Sequence, residues 1–415
     1  MVVAVVAAAV GLGISLTAPP GCACRPALAQ GQLELPIAVL ATVAQGPERV
    51  LHPVKASSRV RSAPAGTATL ANGRLIEAVR YENLSIFAVV KGAGADTSGF
   101  VTLDEGLASG DVVVAERGSD IIRRSRDGRP IRVPDGGASV NQLVLVNRGK
   151  RPLLLLAGEV VSGGKQDRVI AKDRIIAPGS EPLPLDVFCV EHGRWSGGSN
   201  QFSAAKMMVH PSVREKAAVD KQQDQVWAAV RSGSTHPSAQ AAPDNPSAGA
   251  TARISSFEVA QTVTVEARSE SYDKIYGRSR IGQSVEAFAE EVRKRFSRAM
   301  AGLKDEKVTG VVIAYGGEVA WADTFASPEL FSRYWPKLLR SYAVEALARP
   351  GSKEQATLDD AREFLEPLGG RETIESEPGV YRWRQVTEGR YAEIEITSLA
   401  PKTLALHWVK IHRTA

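Results

Sequence analysis

Residues 157–169 read AGEVVSGGKQDRV, and the reading of the paired glycines at their centre decides the fold class. Gly163 and Gly164 followed by Lys165, after an apolar run, raise the possibility of a phosphate-binding loop. Such a loop is G-x-x-x-x-G-K-[ST], set between a strand and a helix. Here the position five before Gly164 is Glu159, and Gly158 stands one residue too early. Gln166 also replaces the hydroxyl residue that would hold Mg²⁺. The residues that follow, QDRVIAKDRII, alternate in polarity as a strand does, not as an amphipathic helix.

The stretch is therefore expected to be a β-hairpin that turns at Gly163-Gly164, where glycine supplies positive φ. A two-residue turn sets Glu159 opposite Arg168, with Val161 and Gln166 on the same face. An exposed pair of this kind contributes only about 0.2–1 kcal/mol. Glu159, however, follows residues 153–156, four leucines in a row, which read as a strand buried on both faces. A carboxylate there has to be paired, and it is a candidate pocket wall.

Working outward, residues 81–195 form short β-rich runs broken by Gly, Asn, Asp and Pro, such as YENLSIFAVVKG, FVTLDEGLASGDVVVAERG and RPLLLLAGEVV. SVREKAAVDKQQDQVWAAV (212–230) reads as the first helix and QSVEAFAEEVRKRFSRAM (283–300) as a second. VTGVVIAYGGEVAWADTF is a hairpin turning at Gly316-Gly317. A strong helix starts after Ser327, a good N-cap, with Pro328 at its first position and Glu329 at the positive end of its dipole. Phe331, Trp335, Leu338, Tyr342 and Ala346 recur at spacings of three or four, so one face is buried. The expected class is α+β: a sandwich-like or barrel-like β core with helices packed on one side. Main-domain bounds of 79–350 follow, with a small α+β extension at 351–415. A polar insertion rich in Ser, Pro and Ala at 232–252 is expected to be mobile.

The N-terminus differs. An apolar run ends in Ala27-Leu28-Ala29 before Gln30, which fits a signal peptide over residues 1–29 and an extracytoplasmic destination. A membrane anchor is the alternative. Residues 30–78 read as linker. Cleavage removes Cys22 and Cys24 and leaves Cys189 alone, so no internal disulfide is expected. With 44% hydrophobic residues among 415 and a formal charge of +5, the chain can bury a core and carries no nucleic-acid footprint. The six histidines form no metal-binding pattern, and no cofactor is demanded.

A second stretch, DVFCVEHGRW (186–195), places Cys189 and His192 on opposite faces if extended, which argues against a nucleophile–base dyad. Glu191, Arg194 and Trp195 offer a carboxylate, a cation and an aromatic face. AGEVVSGGKQDRV, CVEHGRW and ADTFASPELFSRYWPKLLRSYAVEA, in that order, resemble a bacterial domain family. It is named for its association with ADP-ribosylglycohydrolases and rhodanese-phosphatases. The resemblance implies a neighbourhood in ADP-ribose or NAD-related metabolism, with Glu159, Gly163, Gly164, Lys165, Gln166, Arg168, Glu191, Arg194, Trp195 and Asp323 at motif positions.

Two readings follow. In the first, the polar cluster belongs to a binding or scaffold domain, with Lys165, Gln166, Arg168, Arg194 and Trp195 on an anionic small molecule or glycan. In the second, Glu159, Glu191 and Asp323 supply general acid and base groups of a carboxylate-dependent hydrolase acting on a phosphate- or sugar-containing substrate. An unpaired carboxylate in an open cleft favours the enzyme. Fully paired and closed groups favour the first reading.

Overall fold

In a computed structural model, the structure describes residues 57–60, 73–117, 142–193, 199–237 and 253–414. The expected signal peptide, most of the linker, Arg194, Trp195 and the insertion from residue 238 lie outside the described residues.

The strands are β1 (Ser57–Val60), β2 (Arg74–Tyr81), β3 (Leu84–Lys91), β4 (Val101–Thr102), β5 (Val112–Glu116), β6 (Gln142–Asn147) and β7 (Leu153–Leu155). They continue with β8 (Glu159–Gly163), β9 (Arg168–Ile170), β10 (Arg174–Ile176), β11 (Leu183–Cys189), β12 (Glu191–His192) and β13 (Gln201–Met208). The last are β14 (Glu270–Ser271), β15 (Lys307–Tyr315), β16 (Glu318–Phe325), β17 (Arg371–Glu377), β18 (Tyr381–Glu388), β19 (Tyr391–Ser398) and β20 (Leu404–His412). The α-helices that matter below are α1 (Leu103–Ser109), α2 (Pro211–Glu215), α3 (Gln223–Ser232), α4 (Ser256–Thr262), α5 (Arg280–Met300), α6 (Pro328–Ala348) and α7 (Leu358–Phe364).

These strands make two main bodies of sheet. Six close into a barrel in the order β11-β6-β5-β13-β8-β9. Nine form an antiparallel sheet in the order β1-β17-β18-β19-β20-β16-β15-β3-β2. The class is thus α+β, with a barrel beside an open sheet. The barrel is filled by Val114, Leu145, Val161, Ile170, Leu185, Val187 and Phe202. On β8 and β9 they alternate with Val160 and Val169 of the larger core, and on β5 and β6 with Ala115, Val144 and Val146 of a small separate cluster, as the period of two requires. Helix α6 packs on β15 of the sheet and on β13 of the barrel, so it bridges the two.

Ser327 accepts the N–H of Leu330 at 3.0 Å and starts α6 where its cap chemistry says it should. Phe331, Leu338, Tyr342 and Ala346 are buried along it. The Gly316-Gly317 turn joins β15 to β16 with Tyr315 opposite Glu318.

Two expectations are corrected. The run FVTLDEGLASG, expected as strand, contains α1, because Thr102 and Glu105 form a reciprocal capping box and Gly110 closes the helix in the left-handed region. The helix expected over 212–230 is interrupted. A π turn (Lys216–Asp220) ends at Lys221 with φ of 55°, and α3 starts afresh at Gln223. β20, which lies beyond residue 350, hydrogen-bonds directly to β16, and residues Pro53–Ala415 form one compact unit.

Candidate functional site

The hairpin at residues 159–170 exists, but with a wider turn than a two-residue reversal. Val161 opposes Arg168 and Val160 opposes Val169, two residues out of the expected register. Asp167 causes the difference. Its carboxylate accepts the Ser162 hydroxyl at 2.7 Å, the Gly163 N–H at 3.2 Å and the Ser271 hydroxyl at 2.8 Å, drawing the turn back over itself. Gly164 has φ of 51°, and a Cβ there would meet the Phe202 ring at 2.3 Å. The glycine is thus required both for its backbone and for its lack of a side chain.

Glu159 does not pair with Arg168. Its Oε1 takes the ammonium of Lys337 on α6 at 2.5 Å, and its Oε2 accepts the N–H of Leu156 at 2.7 Å. Lys337 also reaches Asp104 at 2.8 Å and lies 4.7 Å from the centre of the Tyr334 ring. Burial opposes the charge on Lys337, but Glu159 and Asp104 outweigh it and hold the ammonium above its ordinary pKa.

Asp323 on β16 is the centre of a second network. Arg214 of α2 grips it with two parallel bonds of 2.9 Å, and Trp321 Nε1 donates at 2.7 Å. Tyr342 donates its hydroxyl to the same carboxylate. His407 on β20 donates from Nε2 to Asp323 at 2.8 Å and from Nδ1 to Asp173 at 2.6 Å. With a carboxylate at each ring nitrogen, His407 carries both protons and is an imidazolium. Two acids thus meet two bases, in a neutral cluster closed to solvent. Burial works against the Asp323 charge, yet Arg214 and His407 hold its carboxyl well below the usual range.

Both networks meet at residues 156–158, at the start of the 157–169 stretch. Ala157 donates its N–H to Asp173 at 2.7 Å, and its carbonyl accepts Arg214 Nε at 2.8 Å. Gly158 has φ of 97°, and a Cβ there would approach Arg214 carbons to 2.9 Å. The result is a buried polar seam that ties the barrel-side loop to β16, β20 and α6.

The remaining expected site residues cluster at the end of the barrel. Glu191 accepts the N–H of Asp167 at 3.2 Å, and Lys165 donates its backbone N–H to Glu116 at 3.0 Å. Arg168 is 1% exposed. Its Nη1 donates to the Gln166 carbonyl at 2.9 Å and to Gln166 Oε1 at 3.3 Å. Its Nε is buried without an acceptor, and it forms no ion pair among the described residues. Cys189, directly opposite Arg168 on β11, is closed to solvent, and burial pushes its thiol pKa up. His192 instead points outward and meets Glu270 at 3.4 Å, so no Cys–His dyad forms.

The structure therefore splits the expected cluster. Glu159 and Asp323 belong to the seam, while Glu191, Lys165, Gln166 and Arg168 surround the braced turn. Sequence reasoning missed Asp173, Arg214, Lys337 and His407. His407 carries a local signal, a titratable residue inside the otherwise apolar run LALHWVKI, whereas Asp173 between Lys172 and Arg174, and Arg214 beside Glu215 and Lys216, carry none. Among the described residues no group of three or more His, Cys, Asp or Glu side chains could hold a metal ion, and no helix is long and apolar enough to cross a membrane.

No curated protein and no solved structure gives a significant match to the chain. A family model does match, over residues 73–415, which takes in the barrel, most of the sheet and both polar networks. The chain belongs to the ARG and Rhodanese-Phosphatase-superfamily-associated Protein domain family.

Proposed function

We propose that the chain is a binding domain that takes an anionic ligand at the end of the six-stranded barrel, with Arg168 as its anchor. One observation carries this reading: Arg168 is buried, lacks an ion-pair partner among the described residues and leaves Nε without an acceptor. A guanidinium stays charged at any physiological pH. Taking it out of water without a counter-charge costs several kcal/mol, by order of magnitude. A ligand phosphate or carboxylate would supply that counter-charge. By strand alternation Arg168 shares its side with Ile170, which faces the barrel interior. The ligand enters over the 163–167 turn, where Lys165 is only half-buried.

Hydrolysis is the weaker reading. A general acid or base must reach the proton it transfers. Asp323 is surrounded by donors, Glu159 is held by Lys337 and the Leu156 N–H, and both are closed to solvent, so neither can do so without dismantling the seam. An extracytoplasmic location through the N-terminal segment remains part of the proposal, and it favours a glycan or other exported anion over an NAD-derived one.

Thermal shift with nucleotides, ADP-ribose, sugar phosphates and anionic glycans tests the idea on wild type, Arg168→Gln and Glu159→Gln. A ligand that raises Tm in wild type and Glu159→Gln but not in Arg168→Gln supports it. Equal shifts in wild type and Arg168→Gln, or none with any member of the panel, would overturn it.

A further inference from the structure

A different cavity, of about 330 Å³, lies on the outer side of the barrel, lined by Gln142, Lys172, Asp186, Phe188 and Lys221. Two ammonium groups converge there. Lys172 Nζ is 4.3 Å and Lys221 Nζ 5.5 Å from the centre of the same Trp383 ring on β18. Like charges repel, and the ring face compensates each by only about 0.5–2 kcal/mol. Lys172 is paired with Glu375. Lys221 forms no ion pair among the described residues.

The backbone at Lys221 adds an independent observation. It holds φ of 55°, as the left-handed residue that ends the π turn. Glycine occupies such positions without strain, whereas another residue costs about 1–3 kcal/mol in the less favourable cases. The lysine at this position lines the cavity at the expense of local stability.

The charges facing the site are Lys172 and Lys221, with Arg174 nearby, against Glu375 and Asp186. Arg174 spends one donor on the Pro184 carbonyl at 2.7 Å. Burial lowers the pKa of Lys172, Glu375 works in the opposite direction, and Lys221 and Arg174 push it down further. The site carries an excess of positive charge that the protein itself does not neutralise.

We propose that this cavity binds a small phosphate monoester, its phosphoryl oxygens between the ammonium groups of Lys172 and Lys221 and its organic part against Phe188. Lys172, Lys221 and nearby Arg174 outweigh Glu375 and Asp186 by one charge, which matches a phosphate monoanion, and Gln142 offers amide hydrogens beside the ammonium groups. The volume sits at the lower end of small-molecule pockets, so it suits a compact ester better than a dinucleotide. This site is separate from the Arg168 end of the barrel and does not rest on it.

Acylation of lysines with acetic anhydride, read by mass spectrometry, tests the proposal with phenyl phosphate and inorganic phosphate as probes. At about four times its Kd, phenyl phosphate should slow labelling of Lys172 and Lys221 by about fivefold. Inorganic phosphate should protect at higher concentration only, because it leaves Phe188 uncovered. Lys221→Gly separates binding from folding. It relieves the left-handed strain, so its Tm should equal or exceed that of wild type, while the protection of Lys172 disappears. Arg168→Gln should keep the protection, which distinguishes failure here from failure of the barrel-end site. Equal labelling with and without phenyl phosphate, or protection of Lys172 that survives in Lys221→Gly, would overturn the assignment.

Discussion

Arg214 and Asp323 lie 109 residues apart and meet through two parallel hydrogen bonds of 2.9 Å, with both side chains closed to solvent. The pair joins a short helix beside the barrel to a central strand of the large sheet, so it is a joint between the two bodies of the fold. Its strength lies in its completeness: each polar atom of Asp323 is matched, and the paired charges cancel.

Removal of one partner should therefore cost far more than the pair itself contributes. Arg214→Ala is expected to lose about 3–5 kcal/mol, since Asp323 stays buried with only part of its compensation. Arg214→Lys keeps the charge but not the planar fork, and should fall between the two. Urea unfolding at neutral pH measures both. A loss below about 1 kcal/mol in Arg214→Ala would mean that the seam does not hold the barrel to the sheet.

His407 gives that joint a pH dependence with a definite sign. Two carboxylates overcome its burial and raise its folded-state pKa above the ordinary value. Its stabilising effect is complete below the unfolded value of about 6.5 and fades as pH rises through the folded value. Asp323, held low, behaves oppositely: its effect is complete above about 3.9 and fades as pH falls. Urea midpoints from about pH 7 to 10 should decline more steeply in wild type than in His407→Gln. Parallel declines would contradict the imidazolium.

His210, just ahead of α2, titrates on the other side. Burial pushes its pKa down to about 4. Tyr272 Oη accepts the His210 backbone N–H at 2.9 Å and lies 3.0 Å from Nδ1, so its one proton is available to that nitrogen and the neutral ring is favoured. The unfolded chain then binds more protons between about pH 4 and 6.5, and stability falls as pH drops through that window, by about 3 kcal/mol at most. His210→Phe, which cannot be protonated, should flatten the acid limb of the stability profile. An unchanged slope between wild type and the variant would refute this.

Gly158 is the tightest point of the seam. Alanine there meets both a φ of 97° and an approach of 2.9 Å to Arg214. Gly158→Ala should cost about 1–3 kcal/mol, and more if Arg214 is forced off its fork. Asp323→Asn in the same background should then cost less than it does in wild type, because the network is already disturbed. Strict additivity would show that the glycine acts only through its backbone.

Much of this architecture could be read from local pattern. Ser327, Pro328 and the apolar spacing of α6 fix that helix through cap chemistry and periodicity, which depend on near neighbours. The Gly316-Gly317 hairpin is legible for the same reason. The register of the 159–170 hairpin was not, because Asp167 braces the turn through Ser271, 104 residues away. The partners of Glu159 and Asp323 were hidden more deeply still. A run of four leucines does say that a following carboxylate must be neutralised, but nothing local says by whom. Lys337 is 178 residues from Glu159, and His407 is 234 from Asp173. Such contacts are set by how sheet and barrel dock, and no window of sequence contains both ends.

Glu159 and Lys337 give the sharpest test of whether the seam is architecture or machinery. Lys337→Met leaves a buried carboxylate with only the Leu156 N–H as a donor among the described residues, and should cost about 3–5 kcal/mol. Glu159→Gln keeps an acceptor for Leu156 and leaves Lys337 paired with Asp104, so it should cost less. In the double variant the uncompensated charge is gone, and the loss should fall short of the sum by about 0.5–3 kcal/mol. Chemical unfolding of the four proteins measures this coupling. If ligand binding at the barrel end is intact in Glu159→Gln, the carboxylate serves the fold. If binding disappears while stability holds, Glu159 reaches the ligand, and the division between seam and binding site drawn from the geometry is wrong.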